Sequence, residues 1–157
     1  IEREEKILWE IPVCYDVEFG IDLEEISQKN NLEIDKIIKL HSEPNYTVFF
    51  IGFLPGFAYL ASVDERIALP RLATPRKQIP KGSVSIADTQ TAVYPQASPG
   101  GWNIIGNCPI SLFDDAQLTQ ANQMHDKFSL LNVGDSVRFK AISKQEFVEL
   151  GGEVRHD

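Results

Sequence analysis

Residues 46–60 read YTVFFIGFLPGFAYL, and residues 80–106 read PKGSVSIADTQTAVYPQASPGGWNIIG. The first six residues of the earlier stretch are aromatic or β-branched throughout, which suits a half-buried pleated strand, and Gly52, Pro55 and Gly56 then break it. The later stretch offers only short β-prone pieces, at 83–87, 91–94 and 102–105, with glycine and proline punctuation around them. Working outward, apolar residues alternate over 7–14, where Pro12 marks an edge or bulge, and two further strands are read at 67–69 and 136–142. Gly134 and Asp135 supply the turn into the last strand.

Helices are few and short. Asp22 with Glu25 resembles a capping box opening a helix that ends near Asn30 and Asn31. Ile34, Ile37, Ile38 and His41 share one face of a second helix that stops before Pro44. Ser143 with Glu146 caps a third, ended by Gly151 and Gly152. Short strands, frequent turns and peripheral helices give a mainly β fold, a closed or nearly closed barrel, with one domain spanning 1–157.

A net charge of −8 opposes nucleic-acid binding, because phosphates would be repelled over most of the surface. No apolar run approaches the roughly 20 residues that span a bilayer, so a membrane is not expected either. Cys14 and Cys108 match no metal spacing, and His41, His125 and His156 are scattered, so no metal site is expected. The two cysteines are read as free buried thiols of a cytoplasmic protein, against the alternative of one disulfide between them.

From residue 89 to residue 113 there is no charged side chain and no continuous apolar run. Such a tract suits shaped loops that receive a small polar ligand or a partner surface. In GFLPGF, at 52–57, Gly56 and Pro55 lie between Phe53 and Phe57, with Tyr59 beyond. Either the glycines admit a ligand to an aromatic-walled pocket, or a tight turn tucks the rings into the barrel. Gln90, Tyr94, Ser98 and Asn103 are neutral hydrogen-bonding groups fit for an amide substrate or for satisfying loop backbone. Ser98, Gly100 and Trp102 fall in SPGGW, read as a turn with positive φ at Gly100 or Gly101 and Trp102 packing inward. Ser98 lacks the context of a nucleophile.

Arg71, Arg76, Lys77 and Lys81 form a basic island. Arg76, between Pro75 and Pro80 on what reads as a stiff loop, is the preferred carboxylate anchor, against the alternative of ordinary surface cations paired elsewhere. His41 is either a core histidine or a general base. Candidate catalytic groups are therefore His41, Arg76 and Gln90, yet no complete catalytic set is present. That absence favours a binding or half-site module that is silent on its own.

The stretches HSEPNYTVFFIGFLPGFAYL (41–60), PRLATPRKQIPKGSVSIADTQTAVYPQASPGGWNIIG (70–106) and Pro109, Leu112, Phe113 and Asp114 resemble the KipI / allophanate hydrolase subunit 1 family, which includes the B subunit of 5-oxoprolinase. IPVCYD at 11–16 resembles the family's entry into this domain. The resemblance implies a cyclophilin-like β-barrel, preceded in the family by a further N-terminal domain that this chain is expected to lack. It implies one component of a three-part enzyme, working with a KipA-like protein and a LamB/YcsF-like protein to open 5-oxoproline, a small lactam, to glutamate. ATP would be bound mainly by a partner, since the chain has no phosphate loop. The alternatives within the same resemblance are an inhibitor of a sensor histidine kinase and a carboxyltransferase or allophanate-hydrolase-type component working on urea-derived amides. The chain departs from the family at Asp88, where glycine is usual, and at Asn107 and Cys108.

Overall fold

The computed structural model describes residues 6–54, 56–111, 119–120 and 131–153. Pro55, the stretch 112–115, His125 and His156 lie outside the described residues. Among the described residues, ten strands and three helices occur in chain order: β1 (Leu8–Val13), α1 (Leu23–Asn30), α2 (Ile34–Ser42), β2 (Tyr46–Ile51), β3 (Ala58–Ala61), β4 (Arg76–Ile79), β5 (Ser83–Ala87), β6 (Gln90–Val93), β7 (Ser98–Gly100), β8 (Asn103–Asn107), β9 (Thr119–Gln120), β10 (Ser136–Ala141) and α3 (Lys144–Glu149). Eight strands form one sheet in the order β8-β5-β6-β3-β2-β10-β1-β9, and β4 pairs with β7 as a separate ribbon. Neighbours are antiparallel except β1 and β10, which run parallel.

Cys14, just past β1, exchanges two backbone hydrogen bonds with Asn107 at the end of β8, at 2.9 and 3.0 Å. This bridge brings the two sides of the sheet together into a nearly closed barrel, which hides strand edges that would otherwise invite pairing. Alternation aims Trp9, Ile11 and Val13 of β1, Val84 and Ile86 of β5, and Val137 and Phe139 of β10 into one buried core. Each such buried side chain stabilises the fold by about 1.5–3 kcal/mol relative to exposure. A second, smaller core of Phe57, Ile79, Ala87, Ala92, Tyr94, Trp102 and Ile104 packs separately. Its residues on β5, β6 and β8 alternate with those of the main core, so it lies on the outer face of the sheet, where Ile79 of β4 packs over it.

Asp135 anchors the start of β1. Its buried carboxylate accepts from the Ile7 N–H at 3.1 Å, the Trp9 indole N–H at 2.9 Å and the Asn132 N–H at 3.0 Å. In the sequence it reads only as a turn residue. The capping box of the third helix forms as read, between Ser143 and Glu146.

Several local expectations are corrected. Residues 65–67 form a 3₁₀ turn rather than the start of a strand, held by the Asp64 carboxylate on the Arg66 N–H, and Leu69 makes only an isolated bridge to Asp88. Arg76 stands on strand β4, not a loop. Gly100 lies in β7, and neither it nor Gly101 has positive φ. Gly100 is needed because a Cβ there would collide with the Tyr94 hydroxyl. The capping box at Asp22 does not form, because that carboxylate is used elsewhere.

Candidate functional site on the outer aromatic face

The loop joining β2 to β3 projects a run of aromatic rings. Leu54 donates its N–H to the Gly52 carbonyl at 2.8 Å across Phe53, whose φ is 71°. That is a γ-turn of the rare, strained hand, carried by a bulky residue. Gly56 then takes φ 81°, and the loop is pinned at its base by the Gly52 N–H on the Phe57 carbonyl at 3.1 Å. Phe53 on this turn is 65% exposed, and Phe49 and Phe50 on the preceding strand are exposed as well.

Phe57 is the buried hub of the cluster. Its ring centroid lies 5.4 Å from Phe53, 4.9 Å from Tyr59, 5.2 Å from Tyr94 and 5.5 Å from Trp102, every one of these edge-on. Tyr59 links Phe57 to Phe50 at 5.4 Å and to Trp102 at 5.8 Å. Edge-to-face contacts at these distances are favourable beyond simple burial, so the wall is rigid. Burial raises the pKa of the Tyr94 hydroxyl to about 12, so it stays protonated. Gln90, half-buried, falls by alternation on the same face of β6 as Ala92.

Other sequence candidates are placed elsewhere. His41 is fully buried inside the barrel, stacked on Phe139 at 4.6 Å. Tyr15 donates to its Nδ1 at 2.6 Å, and its Nε2 lies 2.9 Å from the Thr91 hydroxyl, which donates onward to the Ser85 carbonyl at 2.8 Å. This chain of donors makes Nε2 the protonated nitrogen. Burial lowers the His41 pKa to about 3, so the ring is neutral and serves as a satisfied core group. Ser98 is buried, and its hydroxyl is bonded to the Pro99 carbonyl at 2.9 Å.

Arg76 turns to Asp22. Its two terminal nitrogens meet the two carboxylate oxygens at 2.8 and 2.6 Å, and these hydrogen bonds raise its pKa above the ordinary value. Asp22 Oδ2 also accepts the Ile104 N–H at 2.7 Å. The partner acid escapes a reading of the sequence because a helix-opening aspartate reads first as a cap. Arg71 lies with its guanidinium carbon 5.7 Å from the Trp102 ring centre, at the margin of the aromatic wall. Of the basic island, Arg76 is held in an ion pair, Arg71 borders the aromatic cluster, and Lys77 and Lys81 are exposed.

Two open clefts lie away from this face, one lined by Asn30, Leu32, Glu65, Arg66 and Ala68, the other bordered by Cys14, Ile34, Ile38 and Ile142. Burial raises the Cys14 thiol pKa, and the cysteine makes the barrel closure by its backbone. No cluster of metal-ligating groups occurs among the described residues.

Residues 1–123 match the carboxyltransferase domain, subdomain C and D. The chain belongs to that family. It is 44% identical over 138 residues to the B subunit of 5-oxoprolinase from Bacillus subtilis, covering 88% of this chain and 54% of the relative. The protein of the same name from Escherichia coli O157:H7 is 45% identical over 139 residues, covering 88% of this chain and 60% of the relative. The chain therefore spans little more than half the length of these relatives. Among solved structures, a conserved uncharacterised protein of Pyrococcus horikoshii is 48% identical with a TM-score of 0.78, over 89% of this chain and 61% of that one. The urea carboxylase of Kluyveromyces lactis shares the fold at 15% identity and a TM-score of 0.72, over 92% of this chain and 14% of that one. No helix among the described residues is long and apolar enough to cross a membrane.

Proposed function

We propose that this chain is the barrel portion of the B subunit of a 5-oxoprolinase and that it works, in the cytoplasm, within a complex that opens 5-oxoproline to glutamate at the expense of ATP. The observation that carries this reading is the 44–45% identity across 88% of the chain to proteins bearing that name. The partners are a KipA-like protein and a LamB/YcsF-like protein. The barrel contributes the aromatic face around Phe53, Phe57, Tyr59 and Trp102, and a partner completes the pocket over it. Support comes from Phe49, Phe50 and Phe53, three exposed phenylalanines on one loop and its preceding strand, which form an apolar patch suited to burial by another chain.

Opening a lactam requires activation of its carbonyl and stabilisation of the charge that develops on oxygen. The sequence has no phosphate loop, so a partner holds the ATP. The test is co-expression of the full-length protein with the KipA-like and LamB/YcsF-like proteins, followed by ATP-dependent hydrolysis of 5-oxoproline. Turnover that needs all three proteins supports the reading. Turnover that is unchanged when this protein is left out overturns it.

A further inference from the structure

We propose that Arg71 is the carboxylate-binding residue of the outer aromatic face, and that it selects a small cyclic amide bearing a carboxylate. This rests on the 5-oxoprolinase reading above and names the residue that recognises the substrate's charge. Arg76, the cation that the sequence favours for that role, has both terminal nitrogens committed to Asp22. Arg71 is exposed, and no acid among the described residues lies within ion-pair distance of it. It follows that its charge is available.

Position strengthens the assignment. The Pro70 carbonyl is held by the Asn103 side-chain amide at 2.9 Å, and the Leu72 N–H by the Gly101 carbonyl at 2.7 Å. Arg71 is thus flanked on both sides by backbone fastened to the strand and loop that carry Trp102. A fastened backbone lowers the entropy lost when the side chain engages a ligand. A guanidinium 5.7 Å from an indole centre keeps the N–H donors that match a carboxylate. The stretch from residue 89 to residue 113 supplies no competing charge, and the half-buried Tyr59, packed against the buried Trp102, offers an apolar ring for the ring of the amide. Lys77 and Lys81 are exposed, and neither contacts an aromatic ring among the described residues.

The test uses the full-length protein assembled with its two partner proteins, measuring KM and kcat for ATP-dependent 5-oxoproline hydrolysis. Losing one charge-assisted, hydrogen-bonded contact corresponds to about a 10–100-fold effect. Arg71→Gln is expected to raise KM by about that factor with a smaller change in kcat, and Arg71→Lys to fall between. The wild-type complex is expected to be inhibited by 5-oxoproline analogues that keep the carboxylate far better than by uncharged 2-pyrrolidinone, and Arg71→Gln to lose that preference. Wild-type turnover with an unchanged KM in a folded Arg71→Gln variant overturns the Arg71 assignment and leaves the 5-oxoprolinase reading standing. A variant that fails to co-purify with its partners, but keeps normal KM in whatever complex forms, shows that Arg71 meets a partner's carboxylate instead and equally overturns it. A wild-type complex with no turnover overturns the 5-oxoprolinase reading itself, and this assignment with it.

Discussion

Arg76 and Asp22 clasp each other through two hydrogen bonds of 2.8 and 2.6 Å, although 54 residues separate them in the chain. The pair ties β4 to the start of α1, and the Ile104 N–H on the same carboxylate ties both to β8. Asp22 is 5% exposed, and both of its carboxylate oxygens are engaged by these partners. Arg76→Ala is therefore expected to destabilise the fold by about 2–4 kcal/mol, because removing one member of a buried pair strands the other. Urea denaturation of wild type and variant measures this. A loss within about 0.5 kcal/mol, the range of ordinary surface substitutions, would show that the pair contributes little.

The buried imidazole of His41 makes stability depend on pH. Its folded pKa is lowered from 6.5 to about 3 by burial. As pH falls, the unfolded chain takes up a proton on this ring while the folded chain does not. Its stabilising contribution is whole above about pH 6.5 and is lost on acidification at about 1.4 kcal/mol per pH unit, or about 2 kcal/mol by pH 5. His41→Gln, which can still accept from Tyr15 and donate to Thr91, is expected to flatten that slope. Denaturant midpoints for both proteins at pH 5 and pH 7 test it, and equal slopes would contradict the assignment.

Much of the barrel is legible in the sequence because its strands obey simple rules. YTVFFI and SVSIA combine β propensity with turn residues at both ends, and both fall on strands. The missed strands, AYLA, RKQI, SPG and the two-residue TQ, are short or lack an apolar pattern, and they form because neighbours supply hydrogen bonds across the chain. The site is legible in part. FIGFLPGF and SPGGW mark the aromatic face, since a cluster of Gly, Pro and aromatics fits neither ordinary loops nor ordinary strands. Which arginine is committed is not legible, because that depends on Asp22, whose role is decided by tertiary packing.

Asp88 adopts φ 55° in the β5–β6 turn, a left-handed conformation that costs a residue with a Cβ about 1–2 kcal/mol, less for aspartate than for most. Glycine would adopt this φ without that cost. Asp88→Gly is expected to stabilise the fold by about 0.5–1 kcal/mol, read as a rise in Tm of a few degrees. A lower Tm would show that the aspartate side chain contributes more than its backbone strain costs.

The central claim is that the strained, exposed loop at Phe53 exists for the complex rather than for the fold. Phe53→Gly relieves a positive φ of 71° at a side chain that is 65% exposed, so thermal stability should be unchanged or slightly higher. The decisive measurement is ATP-dependent 5-oxoproline turnover by the reconstituted complex carrying this variant. Loss of an aromatic contact worth about 2 kcal/mol or more at a partner interface predicts at least a tenfold fall in turnover at limiting partner concentration, with Tm retained. Normal turnover by the equally stable variant would contradict the account.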